Sequence, residues 1–320
     1  MKVIFMGTPD FAVPALCAVC EAGHEVVLAV TQPDRPKGRG GKVAASPVKE
    51  AAIARGIPVF QPGKLRDPEN IAFLSRYQVD VIVVVAFGQI LPKAVLDLPK
   101  YCCVNVHGSL LPKYRGASPI QWTVLNGDPV GGVTTMRMDE GLDTGDMILK
   151  QEIPLAADET AATYFDKVAQ EGAALLVETL SRIEDGTAVY TKQDEGAATK
   201  TGMIRKSMGE IDFGKSAREI DCLIRGMNPW PTAYTRCGGK LLKIWRVEPL
   251  SMREAEERFG ICGPAAAPGT VLKVTKKELV VAAADSALNI LELQAEGKKR
   301  METAAFLRGF RVQEGEVFGE

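Results

Sequence analysis

The sequence predicts an α/β chain: a mostly parallel, doubly wound sheet followed by a second, smaller β-barrel. Three observations carry this. Short apolar runs alternate with helical stretches as far as about Gly186, the βαβ rhythm of a parallel sheet flanked by helices. One run, Val81–Phe87, is apolar without alternation, as a strand buried on both faces must be. Beyond Gly186 the texture turns polar and aperiodic, then becomes a series of short β runs with turn punctuation.

In order, Val3–Met6 is a short apolar strand and Ala12–Glu21 a helix that Gly23 ends. Val26–Val30 is a second strand, followed after a loop by the helix Pro47–Arg55. Val59–Phe60 is a brief strand and Pro68–Tyr77 a helix; the strand Val79–Phe87 and a shorter one, Cys102–His107, come next. The helix Pro119–Leu125 is closed by Asn126-Gly127-Asp128. Strands Gly132–Met138 and Met147–Ile153 precede a long helix from about Thr160 to Ile183. Residues Thr191–Met208 are rich in Ala, Thr, Gly and Lys without periodicity, the composition of a linker. The boundaries expected are therefore 1–189 for the first domain, 190–208 for the linker and 209–320 for the β domain. In the last, helix Ala217–Gly226 stops at Asn228-Pro229-Trp230-Pro231. Strands Ala233–Arg236, Leu241–Val247, Thr270–Val274, Glu278–Ala283 and Leu288–Leu293 follow.

The 320 residues are enough for two domains with proper cores, and 25% charged and 46% hydrophobic residues are values of a globular protein. A formal net charge of −1 gives no global attraction to nucleic acid, so any such binding needs a local patch. Seven cysteines, an odd number, fit no disulfide framework. Cys17 and Cys20 have C-x-x-C spacing but no second ligand pair, and read as core thiols. The start, Met1–Gly7, is too short and too soon broken by Thr8-Pro9-Asp10 for a signal peptide. No apolar stretch approaches the roughly 18–20 residues of a membrane span. The expectation is a cytoplasmic protein without a metal.

The chemistry points to residues 105–116. A strand ending Asn105-Val106-His107 turns its amide and imidazole to one face, at the carboxyl end where α/β sheets bind ligands. His107 is one of only two histidines; His24, after a helix-ending glycine, reads as structural. The acidic segment Asp139, Glu140, Asp143, Asp146 lacks EF-hand spacing, so it is either a solvated turn or the source of a carboxylate, Asp143, that orients His107. After the first strand, Gly7-Thr8-Pro9-Asp10 keeps one of the three glycines of a dinucleotide fingerprint and adds a proline, which argues against a bound nucleotide. Gly209–Ser216 matches the P-loop pattern formally, yet follows a polar linker and carries Glu210 and Asp212, so it reads as chance. The segment Arg35–Lys42 is basic, glycine-rich and free of acidic residues, either a solvated loop or a nucleic-acid contact.

With Asn105-x-His107, Ser109-Leu110-Leu111-Pro112 and Leu142-Asp143-Thr144-Gly145 in place, the chain resembles the methionyl-tRNA formyltransferases over nearly its full length. Gly7-Thr8-Pro9-Asp10-Phe11, Thr31–Pro36, Ser46-Pro47-Val48-Lys49 and Asn228-Pro229-Trp230-Pro231 look like that family's own signatures. The Asn/His/Asp set and Ser-Leu-Leu-Pro are shared with other transferases and hydrolases that use 10-formyltetrahydrofolate. The resemblance implies a Rossmann-like formyltransferase domain, a linker and a tRNA-binding barrel of OB-like topology. It implies transfer of the formyl group of 10-formyltetrahydrofolate to the amino group of methionine on initiator tRNA. It also implies that Asn105, His107 and Asp143 are catalytic, that Ser109, Leu110, Leu111 and Pro112 line the folate site, and that Arg39, with Lys42 in the same basic loop, contacts tRNA. An amine attacking the formyl carbon builds an oxyanion and must lose a proton; Asn105 would donate to that oxygen, His107 would support it or shuttle the proton, and Asp143 would hold His107. Basic residues of the β domain (Lys206, Lys240, Lys243, Arg246, Lys298–Arg300) have acidic neighbours and single out no contact. Two alternatives stand beside this reading: a folate-dependent transformylase or hydrolase acting on a small molecule, and a non-catalytic tRNA-binding module.

Overall fold

The computed structural model describes residues 1–37, 42–261 and 266–319. The chain divides into two compact units, one of Met1–Ile120, Val130–Leu155 and Tyr164–Gly202, the other of Gln121–Pro129, Ala156–Thr163 and Met203–Glu320. In chain order the elements begin with β1 (Lys2–Gly7), α1 (Val13–Glu21), β2 (Glu25–Val30), β3 (Arg35–Lys37) and β4 (Lys42–Ala44). They continue with α2 (Pro47–Ala54), β5 (Val59–Phe60), α3 (Pro68–Leu74), β6 (Val81–Val85), α4 (Lys93–Leu96) and β7 (Cys102–His107). Next are β8 (Arg115–Gly116), α5 (Pro119–Leu125), β9 (Val130–Arg137), β10 (Met147–Pro154), α6 (Ala161–Glu184) and β11 (Lys200–Thr201). Prolines open α2 and α3, at positions where the missing N–H is not needed, and the Ser46 hydroxyl accepts the Lys49 N–H at 3.1 Å to cap α2.

In the first unit the strands form a sheet in the order β10-β9-β7-β6-β1-β2-β5. β7, β6, β1, β2 and β5 run parallel, whereas β9 is antiparallel to both β7 and β10, so the mostly parallel sheet of the sequence reading is present with β9 reversed. The strand order turns around at β1 and β6, which sets the ligand crevice at their carboxyl ends. At the end of β1 the polar groups are engaged within the protein. The Thr8 hydroxyl donates to the Phe87 carbonyl at 3.0 Å and accepts the Gln32 N–H at 3.3 Å. A Cβ on Gly7 would lie 2.8 Å from that of Ala12, so this glycine serves close packing, not phosphate approach.

Three features depart from the expected elements. The basic loop begins and ends in a two-stranded ribbon, with Arg35 opposite Ala44 and Lys37 opposite Lys42. The short helix α4 lay in no readable period, because four residues define none. Residues 190–208, expected as a linker, carry β11 and the 3₁₀ turns Glu195–Ala197 and Lys206–Gly209, and Thr191 bridges to Met147.

The second unit contains α7 (Ala217–Gly226), β12 (Ala233–Cys237), β13 (Lys240–Leu250), α8 (Met252–Phe259), β14 (Val271–Val274), β15 (Leu279–Ala282), β16 (Ala287–Ala295), β17 (Met301–Glu302) and α9 (Thr303–Phe306). The antiparallel order is β12-β13-β16-β15-β14, with β17 on β16. The chain's last strand-like residues close it: Phe318 bridges Cys237 at one sheet edge and Val317 bridges Thr270 beside the other. A barrel closed in this way leaves fewer unpaired edges. Its core includes Ile220 and Ile224 of α7 with Leu242, Val281, Leu288 and Phe306. The P-loop-like segment ends in a capping box, in which the Ser216 hydroxyl accepts the Glu219 N–H (3.2 Å) and Glu219 accepts that of Ser216 (2.9 Å). Asp212 takes the Gly214 N–H at 2.9 Å, so donors a phosphate would require are spent.

Candidate active site

β7 is the third strand in from the antiparallel edge, and its carboxyl end holds Asn105 and His107. Asn105 sits opposite Val84 of β6 and Met136 of β9, which fixes its backbone on both sides. Its side chain is half-buried and makes no hydrogen bond among the described residues. A held amide with both N–H donors unspent is ready to bind an oxygen that arrives from outside.

His107 is buried, and its Nε2 lies 2.9 Å from the Tyr114 carbonyl. A carbonyl only accepts, so Nε2 carries the proton and Nδ1 is the nitrogen left for chemistry. Nδ1 stands 3.7 Å from Oδ2 of Asp143. That carboxylate oxygen also accepts the Gly116 N–H at 2.8 Å. Asp143 has φ of +54°, the left-handed region, and reaches inward from the acidic loop after β9. Two of the three side chains named from sequence, His107 and Asp143, are therefore paired directly, and the third, Asn105, shares β7 with His107. Neither Asp139 nor Asp143 is part of a solvated turn alone: Asp139 Oδ1 accepts the Gly141 N–H (3.0 Å) and the Thr144 hydroxyl (2.7 Å), shaping the loop that delivers Asp143.

That loop also walls a cavity of about 750 Å³. Leu96, Cys103 and Met138 give it an apolar side, and Asp139, Glu140 and Asp146 a polar one. Burial pushes the thiols of Cys102 and Cys103 up, so both remain protonated, apolar wall rather than nucleophiles. The size and mixed lining suit a flat, amide-rich heterocycle such as a pteridine. Sequence reasoning missed these residues because the wall is assembled from α4, β7 and the loop after β9, and a single periodic segment does not contain it.

Ser109–Pro112 are not among the residues that line this cavity. Ser109 is buried, its hydroxyl donating to the Lys113 carbonyl at 2.6 Å and its carbonyl accepting from Thr134 at 2.7 Å. Leu111 is fully buried and precedes a cis proline, Pro112, and its N–H donates to Thr134 at 3.1 Å. These contacts build the turn that brings Tyr114 back to His107. Arg39 lies outside the described residues; Lys42 is placed on β4 by its backbone alone. Among the described residues no group of three or more His, Cys, Asp or Glu could hold a metal ion, and no helix is long and apolar enough to cross a membrane.

Comparisons with known proteins bear on the chain as a whole. A formyl transferase family model matches residues 1–180, and a formyl transferase carboxyl-terminal domain model matches residues 203–311. The chain is 55% identical to the methionyl-tRNA formyltransferase of Agathobacter rectalis, over 99% of both chains. It is 48% identical to that of Clostridioides difficile, over 100% of both. Among solved structures, an N-formyltransferase from Helicobacter canadensis in complex with folinic acid and dTDP-3-aminofucose is similar at a TM-score of 0.66. That match has 18% identity and covers 94% of this chain and 100% of the other. HypX from Aquifex aeolicus in complex with tetrahydrofolic acid is similar at a TM-score of 0.62 and 16% identity, over 99% of this chain and 50% of the other. At such identities these two structures speak for the fold.

Proposed function

We propose an active-site layout for this chain, which belongs to the methionyl-tRNA formyltransferase family. The enzyme transfers the formyl group of 10-formyltetrahydrofolate to the amino group of methionine on initiator tRNA. The observation that carries the layout is the unspent amide of Asn105 beside the His107–Asp143 pair, at the carboxyl edge of the sheet. Attack of the methionyl nitrogen on the formyl carbon forms the new C–N bond, moves charge onto the formyl oxygen and ends with the folate nitrogen as leaving group. Asn105 donates its N–H to that oxygen. His107, its Nε2 hydrogen committed to Tyr114, meets the reacting atoms through Nδ1. Nδ1 takes the proton that the attacking nitrogen must lose and passes it toward the leaving nitrogen, while Asp143 supports the ring when it is charged.

The cavity walled by Leu96, Cys103, Met138 and Asp139–Gly141 takes the folate heterocycle in this reading, and the Ser109–Pro112 turn, which also positions Tyr114, lines the rest of the folate. Arg39 and Lys42 reach the acceptor arm, the second unit holds the body of the tRNA, and the protein works in the cytoplasm, where charged tRNA is found. The direct test is formylation of charged initiator tRNA with 10-formyltetrahydrofolate, run against small amines as competitors. Formylation of the amines in preference to the tRNA overturns the substrate assignment. Substituting Leu96 or Met138 by a charged residue is expected to raise the KM for the folate and leave the KM for tRNA unchanged.

A further inference from the structure

We propose that the strap Thr191–Thr201, acting through Gln193 and the buried Arg115, is a positioning device for the Asp143–His107 pair; this rests on the catalytic layout above. Arg115 is only 2% exposed although it is an arginine in a chain of ordinary charge. All of its guanidinium is committed to the strap: two nitrogens bind Glu195 at 2.7 and 3.0 Å, and Nε donates to Gln193 Oε1 at 2.9 Å. A planar fork bound on both edges holds its partners at a fixed angle. Gln193 is thereby oriented with its amide nitrogen inward, where it donates to the carbonyls of Asp143 and Gly145, both at 2.8 Å. Asp143 has a left-handed backbone, which a non-glycine residue keeps only when its surroundings over-determine it. Gln193 and the Gly116 N–H supply that constraint from two sides.

The same strap reaches the other partner of His107. Tyr114, whose carbonyl fixes Nε2, has φ of +63°, and its N–H donates to the Thr199 hydroxyl at 2.8 Å. Arg115 N–H donates to the Thr199 carbonyl at 2.8 Å, and β11 pairs with β8. Thr191 exchanges both backbone hydrogen bonds with Met147, at 2.8 and 2.9 Å, just beyond the acidic loop. One segment thus ties down the carboxylate on one side of the imidazole and the carbonyl on the other. Gln193 touches no reacting atom; its effect runs through Asp143.

The test is steady-state kinetics of purified Gln193→Ala, Gln193→Glu, Glu195→Ala and Glu195→Gln, each alone and with Asp143→Ala, with thermal melts as the control for folding. Gln193→Ala is expected to lower kcat about 10- to 100-fold, the scale of a lost catalytic alignment, with both KM values unchanged. Gln193→Glu keeps the acceptor for Arg115 but removes both donors to the loop, and is expected to be as slow. Glu195→Gln is expected to recover most of what Glu195→Ala loses, since an acceptor for Arg115 is restored. With Asp143 already alanine, Gln193→Ala is expected to cost nothing more in kcat. Wild-type kcat in Gln193→Ala beside a slow Asp143→Ala overturns the strap and leaves the layout standing, as does a full additional loss in the double variant. Wild-type kcat in Asp143→Ala overturns the layout itself.

Discussion

At the scale of single residues, the amide of Asn105 and a glycine decide most. Removing one preorganised donor to a developing oxyanion costs about 100- to 1000-fold in turnover. Asn105→Ala is expected to show that loss in kcat with little change in folding, because the side chain has no internal hydrogen bond to forfeit. Near-normal turnover in the purified variant refutes the assignment. Gly145 is the second case. A Cβ there would stand 1.8 Å from the Arg137 carbonyl, so the loop would have to move as backbone. Gly145→Ala is expected to cost about 1–3 kcal/mol in urea unfolding, the range for overpacking, and to lower kcat as well because the displaced loop carries Asp143. Asn105 and His107 were legible because strand alternation alone puts residues i and i+2 on one face. Asp143 was legible only as a neighbour of glycines, and its inward turn depends on a positive φ that composition does not reveal. Gln193 and Glu195 were not legible at all: in a polar, aperiodic stretch, residues that bind a buried arginine look the same as residues that bind water.

At the scale of elements, strands with apolar runs matched the sequence closely. Cys102–His107, Val59–Phe60 and the helices Pro119–Leu125 and Ala217–Gly226 have the expected bounds, since each ends at a turn signal or at a change of period. The helix α8 was passed over, although Ser251 and Glu254 form a readable capping box, because only Ala255 of its eight residues is buried and the apolar period is weak. Two tests belong here. The Ser46 hydroxyl caps α2 and bonds Thr31 at 2.6 Å, so Ser46→Ala is expected to cost about 0.5–2 kcal/mol in chemical denaturation. A loss near zero means that the cap is replaced by water. The strap supplies the other, through pH. The Arg115 guanidinium holds the Glu195 carboxyl below its ordinary range. A carboxyl whose folded pKa is depressed binds protons more tightly in the unfolded chain. Its contribution to stability is therefore complete above the unfolded value of about 4.3 and disappears as pH falls through the lower folded one. The stability difference between wild type and Glu195→Gln is expected to be constant from neutral pH to about 5 and to shrink below that. A difference that grows with acid contradicts the pairing.

At the scale of the whole molecule, a net charge of −1 leaves tRNA capture to local fields, and the structure sorts the basic residues that sequence could not. In the β domain Arg246 is spent on Glu302 and Arg300 on Glu292. Lys276, Lys277, Arg308 and Arg311 instead line a groove of about 830 Å³ whose floor includes Leu307 and Phe310. All four are exposed, and none pairs with a carboxylate among the described residues. Phosphate binding by free cations releases counterions, so each lost contact lowers the slope of log affinity against log salt by about 1. Lys276→Gln with Arg308→Gln is expected to raise the KM for initiator tRNA and to flatten its salt dependence by about two such steps, with the KM for 10-formyltetrahydrofolate unchanged. Arg39→Gln with Lys42→Gln is expected to do the same from the basic segment Arg35–Lys42. The two pairs lie in separate units, so their effects on the logarithm of KM are expected to add. A quadruple variant with the tRNA kinetics and salt slope of the wild type removes all four residues from the binding site and assigns the salt dependence to other basic residues.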